Sequence, residues 1–256
     1  MKSILDQTYN TFDPDRFKAV DPCGTVYELM EHTDNQMDIE VGALLVAMIS
    51  WGSRKVIVPT ARHMLRDEMQ WHPARFVMNG DYEHSYLDAK NQCVYRTLNV
   101  PTFRLVCHNL RQQLQGYDTM EARLNGLTAK EAISEICSWL APARLGSMPA
   151  SACKRVCMFM RWMVRRESPD FGLWTSRPQN DLYAVMDTHV CQQTMSMLHH
   201  KRPTWAACEE LTDIFRQWDP IDPLRYDIAL MTLADRPLNP TPPKEGRHAK
   251  GGSKKS

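Results

Sequence analysis

Two short stretches of the 256-residue chain place chemistry-bearing side chains where a helix begins. Lys154 precedes an apolar-periodic run, Val156 to Val164, and a positive charge at a helix start opposes the macrodipole. Burial there disfavours the ammonium and leaves the neutral amine, a nucleophile; taken alone, a first-turn lysine is ordinary surface decoration. The second stretch is Met186-Asp187-Thr188-His189-Val190. Asp187 or Thr188 suits an N-cap, and a capping carboxylate stays ionised because backbone amides favour its charged form. His189 falls in the first turn, where packing or hydrogen bonding is the ordinary role, and Cys191 beside it adds no correctly spaced metal ligands.

Between these stretches, placing residues 153–166 at 100° per residue sets Val156, Met160, Met163 and Val164 on one face. Lys154, Arg161 and Arg165 fall opposite, flanked by Arg155, Trp162 and Arg166. Such a face suits a phosphate backbone with a base stacked on the indole. The other reading of the same face is a solvated helix whose arginines pair with acidic neighbours.

The elements that must position these residues read as helices. Apolar residues recur at helical spacing through Val26–Met30, Ile39–Ile49, Phe103–Leu114, Ala132–Leu140, Val156–Val164, Val190–Leu198, Ala206–Phe215 and Tyr226–Leu233. No run shows strict alternation, and the expected fold class is all-α. Thr128-Ala-Lys-Glu131 spells a capping box, Asp222-Pro223 a capping carboxylate before an N1 proline, and Thr204 precedes another periodic run. Pro59 is expected to split or kink the segment Arg54 to Met69. Glu167 to Asp187, rich in Pro, Gly, Ser, Asn and Asp, reads as a long excursion between helices, a length that often carries function. Its Phe171 and Trp174 are candidates to stack on a bound base, although packing under a loop is the more ordinary role of each.

Composition narrows the function classes. With 31 Lys and Arg against 30 Asp and Glu and 43% hydrophobic residues, the chain can bury a sizeable core. Residues 237–256 hold five Lys or Arg and one Glu, so residues 1–236 carry an excess of three negative charges. A body of that charge holds nucleic acid through a local patch only. The expected organisation is one helical domain over 1–236 and a disordered basic tail over 237–256. The longest apolar stretch, Val41 to Trp51, is about half of the roughly 20 residues a membrane span needs, and Met1 to Asn10 lacks an apolar core. A cytoplasmic chain with no membrane partner is expected. Eight cysteines without a C-x-x-C pair read as buried reduced thiols, with neither zinc nor iron-sulfur ligation.

Pro149-Ala-Ser-Ala-Cys-Lys154-Arg155 followed by Met186-Asp187-Thr188-His189-Val190 resembles the proline, lysine and V-D-T-H arrangement of the helix-hairpin-helix DNA glycosylases, the endonuclease III superfamily. Cys153 to Arg165, Asp170-Phe-Gly-Leu-Trp174, Tyr95-Arg-Thr97 and Ile49-Ser-Trp-Gly-Ser-Arg54 are similar to a bacterial branch of it, and the resemblance runs from about Asp13 to Ala234. It implies two helical lobes, DNA across the cleft between them, a flipped nucleotide and base excision at C1′ of the sugar. Lys154 matches the lysine that forms a Schiff base in bifunctional members, and Asp187 matches the catalytic aspartate. Trp51 stands where such enzymes often place a wedge; Arg54 beside it, with Arg155, Arg161, Arg165 and Arg166, would contact DNA; His189, Phe171 and Trp174 would line the pocket. Arg96 reads as a phosphate contact or as a structural ion pair. Three departures stand out: Met148-Pro-Ala-Ser-Ala-Cys153 replaces the expected G-x-G turn, the spacing from Lys154 to Asp187 is longer than in endonuclease III, and the terminal four-cysteine iron-sulfur loop is absent. The expected enzyme is a monomeric glycosylase, with abasic-site lyase action, on damaged or abasic duplex or single-stranded DNA, without cofactor or metal. Two rivals from other classes are a nucleic-acid binding protein that has lost the chemistry and a helical module that binds an acidic protein.

Overall fold

The computed structural model describes residues 1–86 and 93–234, so the expected tail over 237–256 lies outside the described residues. Among these, the helices in chain order are α1 (Lys2–Asn10), α2 (Pro14–Lys18), α3 (Cys23–Met30), α4 (Gln36–Ile49), α5 (Arg54–His63), α6 (Pro73–Asn79) and α7 (Val100–Leu114). They continue with α8 (Met120–Arg123), α9 (Ala129–Trp139), α10 (Lys154–Val164), α11 (Thr188–Thr194), α12 (Trp205–Trp218) and α13 (Arg225–Ala234). The all-α expectation holds, with one small addition: β1 (Cys93–Tyr95) and β2 (Leu98–Asn99) pair antiparallel across a two-residue turn. Segments this short give no readable alternation.

The helices begin where side chains can satisfy their orphan amides. Asp13, Asn35, Asn99, Thr119, Thr128, Asp187 and Thr204 each accept from an amide of the first turn, and Thr128 and Glu131 form the expected capping box. Asp222 does not cap the last helix: Arg165 takes both of its carboxylate oxygens, at 2.9 and 2.8 Å, and α13 starts at Arg225. Pro59 does not split its segment either. It sits inside α5, and the chain widens into a π turn only afterwards, over Met64–Glu68. The run Val190–Leu198 is helical only as far as Thr194.

The core is organised on α4, buried from Met37 to Ile49 and therefore apolar nearly all round. It packs against α3, α6 and α10. The deeper of its two buried acids, Glu40, is satisfied by the amides of Met120 and Glu121, by Gln36 and by the indole of Trp174 at 2.6 Å. That set ties α8 and the long excursion to the central helix. At the other end of the chain α1 packs on α13, so the N-terminal helix joins the C-terminal group. No helix among the described residues is long and apolar enough to cross a membrane. Seven of the eight cysteines are buried, Cys93 is half-buried, and all eight are free thiols.

Candidate functional site

A cleft of about 930 Å³ opens between two sets of elements. One wall comes from Phe17, the loop Ala19 to Pro22, the loop Ser50 to Ser53 and the start of α5; the other from α10, Val185, Asp187, α11 and α13. Lys154 and Asp187 stand together on it, 33 positions apart in sequence, with Nζ and Oδ2 2.9 Å apart. Both side chains are about one-third exposed, 35% and 27%, so the pair is open to a ligand and only partly desolvated.

Local backbone sets each partner. Cys153 takes a left-handed conformation, φ 50°, and offers no side-chain cap, so α10 opens with Lys154 turned to the cleft. Asp187 is the N-cap of α11, its Oδ1 accepting from the Val190 amide at 2.9 Å. Burial opposes its charge, but Lys154, that amide and the neighbouring His189 outweigh the burial and hold the carboxyl below its ordinary value. An ionised carboxylate within hydrogen-bond reach of an ammonium can take its proton, which is what a lysine nucleophile requires. His189 is exposed on the same cleft wall.

Trp51 sits half-buried at the rim with a guanidinium against its ring from each of two other elements. Arg96 lies 4.3 Å and Arg155 5.6 Å from the ring centroid. Three features fix the arrangement. Tyr95 donates from its hydroxyl to the Trp51 carbonyl at 2.5 Å; Arg96 turns the β hairpin at φ 50°; and Gly52, at φ 99°, leaves room that a Cβ would close, 2.0 Å from Arg96 Nη1. A non-glycine residue held at positive φ is a small store of backbone strain, and here it delivers an exposed cation to an aromatic ring. Arg54 also lines the cleft, with Nε on Asp21 Oδ2 at 3.0 Å.

The expected cationic face of α10 is not a surface. Arg161 is 3% exposed and Arg165 0%, because buried Asp170 lies opposite both and half-buried Asp222 closes over Arg165. Arg161 Nε reaches Asp170 Oδ1 at 3.1 Å, while Arg165 joins Asp170, Asp222, the Glu167 carbonyl and Tyr9. Neither arginine is a surface contact for DNA; they neutralise buried carboxylates, although Arg161 borders the cleft floor. Trp162 is buried as well, and Arg166 is exposed but lies off the cleft wall. The excursion's aromatics are structural too. Trp174 is 1% exposed and donates to Glu40, and Phe171 packs against Tyr27 and Trp162 with ring centroids 5.0 and 5.9 Å away. Neither lines the cleft.

One cleft residue had no signal in the sequence. Asp227, on α13, is 3% exposed and lines the cavity. Its Oδ2 accepts from the Val185 amide at 2.9 Å, while Oδ1 has no hydrogen-bond partner among the described residues. Burial pushes this carboxyl up to about 7, overriding Arg161, the Val185 amide and Arg165, with Asp170 adding to the rise. In the sequence it is one acidic residue in the first turn of an apolar helix, indistinguishable from ordinary macrodipole compensation.

The turn Met148 to Cys153 spends amides internally. Ala152 donates to the Pro203 carbonyl, Cys153 to Ser151 Oγ, and Ser151 to the Ser147 carbonyl. Among the described residues no cluster of three or more His, Cys, Asp or Glu side chains is placed to hold a metal. No curated protein matches the chain, and no solved structure does. A family model described as "Protein of unknown function (DUF2400)" matches residues 21–235, and the chain therefore belongs to that family.

Proposed function

We propose that the chain is a base-excision glycosylase with abasic-site lyase action, built on the helix-hairpin-helix glycosylase plan and working on a nucleotide extruded from DNA. The observation that carries this reading is the Lys154–Asp187 pair, 2.9 Å apart on the wall of a cleft. Asp187 takes a proton from the Lys154 ammonium, and the amine attacks C1′ as the bond to the base breaks and the base leaves with the electron pair. The departing base takes up the proton held on Asp187, which restores the carboxylate opposite the positively charged amine now bonded to C1′. One proton then passes from that nitrogen through Asp187 to the ring oxygen as the C1′–O4′ bond breaks, which leaves a protonated imine between Lys154 and C1′. Trp51, flanked by Arg96 and Arg155, fills the gap left by the extruded nucleotide and holds the adjoining phosphates. In this reading the enzyme acts in the cytoplasm, as a monomer, without a cofactor.

The test is borohydride trapping over duplexes carrying uracil, hypoxanthine, 8-oxoguanine or an abasic site. A covalent adduct is expected for wild type and is lost in Lys154→Ala; equal trapping by both proteins overturns the lysine assignment. One observation favours a second reading, a nucleic-acid binding protein without chemistry: the amides of Ala152 and Cys153, where a phosphate-gripping turn is expected, are already bonded inside the protein. Salt-dependent binding with neither excision nor trapping on any duplex selects it.

A further inference from the structure

Three aspartates line the cleft: Asp21, Asp187 and Asp227. Asp21 accepts from the Cys23 amide on Oδ1 and from Arg54 on Oδ2. Asp187 accepts from the Val190 amide on Oδ1 and pairs with Lys154 on Oδ2. Asp227 differs, since Val185 occupies Oδ2 and nothing among the described residues meets Oδ1. A buried oxygen without a partner is uncommon, and the residue that carries this one lines a cavity large enough for a ligand. Accepting the Val185 amide needs one oxygen only, so it leaves the second, buried one unexplained.

We propose that Asp227 reads the extruded base, its unpartnered Oδ1 hydrogen-bonding to an acceptor on the base edge, a carbonyl oxygen or an unprotonated ring nitrogen. This inference rests on the base-excision reading. The surroundings specify the neutral acid as donor. Oδ2 already serves as acceptor, which leaves the proton to Oδ1. From α10, Arg161 commits Nε to Asp170, and Arg165 is shared among Asp170, Asp222 and Tyr9, so neither forms an ion pair with Asp227. From α1, Lys2 pairs with Asp6, and both engage Tyr226 instead. On α13 itself Arg225 pairs with Asp219, and from α11 His189 faces the cleft. Burial favours the same protonation state, holding this carboxyl at about 7. A neutral acid in a wall of low polarity discriminates by the cost of leaving it unpaired, so a base lacking the matching acceptor is rejected.

The experiment compares wild type, Asp227→Leu and Asp227→Asn on two substrates: the duplex that wild type excises, and the same duplex with an abasic site in place of the base. On the abasic duplex there is no base to read, and all three proteins are expected to trap equally, which also reports that the variants fold. On the base-bearing duplex Asp227→Leu is expected to lose about 100-fold in excision. Asp227→Asn, whose amide nitrogen can donate while its oxygen accepts from Val185, is expected to stay within about threefold of wild type below pH 7. It should also escape the decline that wild type shows as Asp227 ionises above that pH. Wild-type excision by Asp227→Leu overturns the inference and leaves base excision standing. Normal abasic trapping with excision lost equally in Leu and Asn overturns the donor assignment. Wild type that neither traps nor excises overturns both readings.

Discussion

The two ends of α10 carry the same kind of charge to opposite fates. At its first residue, Lys154 is about one-third exposed, meets a single carboxylate and borders the cleft. Two turns on, Arg161 and, just past the helix end, Arg165 are sealed between Asp170 and Asp222. Helical geometry places all three cations on one side and says nothing about what lies opposite. What decides is the loop after the helix, which folds Asp170 back onto it, and the distant Asp222. A cationic stripe is thus a reliable mark of a helix face and an unreliable mark of a surface.

If this division is right, substitutions at the two ends fail in different ways. Lys154→Ala should abolish the trapped adduct while leaving the urea unfolding midpoint near wild type, since a partly exposed pair contributes at most about 1 kcal/mol. Arg165→Met should do the reverse. Removing Arg165 from the buried network strands Asp222 and leaves Asp170 with Arg161 alone, a loss of about 3–5 kcal/mol read by urea unfolding. DNA affinity should fall only with the folded fraction. An Arg165→Met protein that is stable but binds DNA weakly would return the guanidinium to the interface.

Asp227 carries the comparison into the same interior. Its folded-state carboxyl sits at about 7, against an ordinary 3.8, so between those values the folded protein holds a proton that the unfolded chain releases. The stability that Asp227 contributes is therefore present below about pH 4 and lost as pH rises to about 7 and beyond. Asp227→Asn removes this component, so the difference between the two unfolding free energies should change by up to about 4 kcal/mol across that window. A constant difference would mean that Asp227 is ionised in the fold at acid pH.

Asp187 tests whether a cap is only a cap. The Asn side chain can still accept from the Val190 amide, so Asp187→Asn should cost under about 1 kcal/mol in unfolding. Excision should nevertheless drop about 100- to 1,000-fold, because an amide neither takes the Lys154 proton nor sets a negative charge against the positive one that develops. Equal, small losses in both measurements would reduce Asp187 to its structural role.

How much of this was legible follows from range. The eight periodic runs all mark helices, because a one-sided apolar period is written within the segment itself. Helices α1, α2, α6 and α8 escaped, being short or having few buried positions. The pairing of Lys154 with Asp187 came from resemblance, since no local pattern brings residues 154 and 187 together. The fate of Arg161 and Arg165, the burial of Trp174 against Glu40 and the unpartnered oxygen of Asp227 depend on residues brought together from other parts of the chain. A single sequence carries no record of those meetings.

The smallest effects are expected at the rim, where the replacement for the lost cationic face can be measured. Arg96 and Arg155 approach Trp51 from a hairpin turn and from α10, elements that meet only in the fold. Each arginine that contacts a phosphate contributes about one unit to the slope of log affinity against log salt. Arg96→Ala and Arg155→Ala should each flatten the slope by about that much and weaken binding about equally across sequences. Trp51→Ala should instead weaken binding with little change in slope, by the roughly 1–3 kcal/mol of a lost stacking partner. Gly52→Ala reaches the same rim without touching a charge. Its added Cβ would fall 2.0 Å from Arg96 Nη1 and must push the guanidinium away. It should therefore copy the shallower slope of Arg96→Ala while every cation remains in the chain. If Gly52→Ala leaves the slope at the wild-type value while Arg96→Ala flattens it, Arg96 contacts DNA without depending on its seat over Trp51, and the rim is a looser device than the stacking geometry implies.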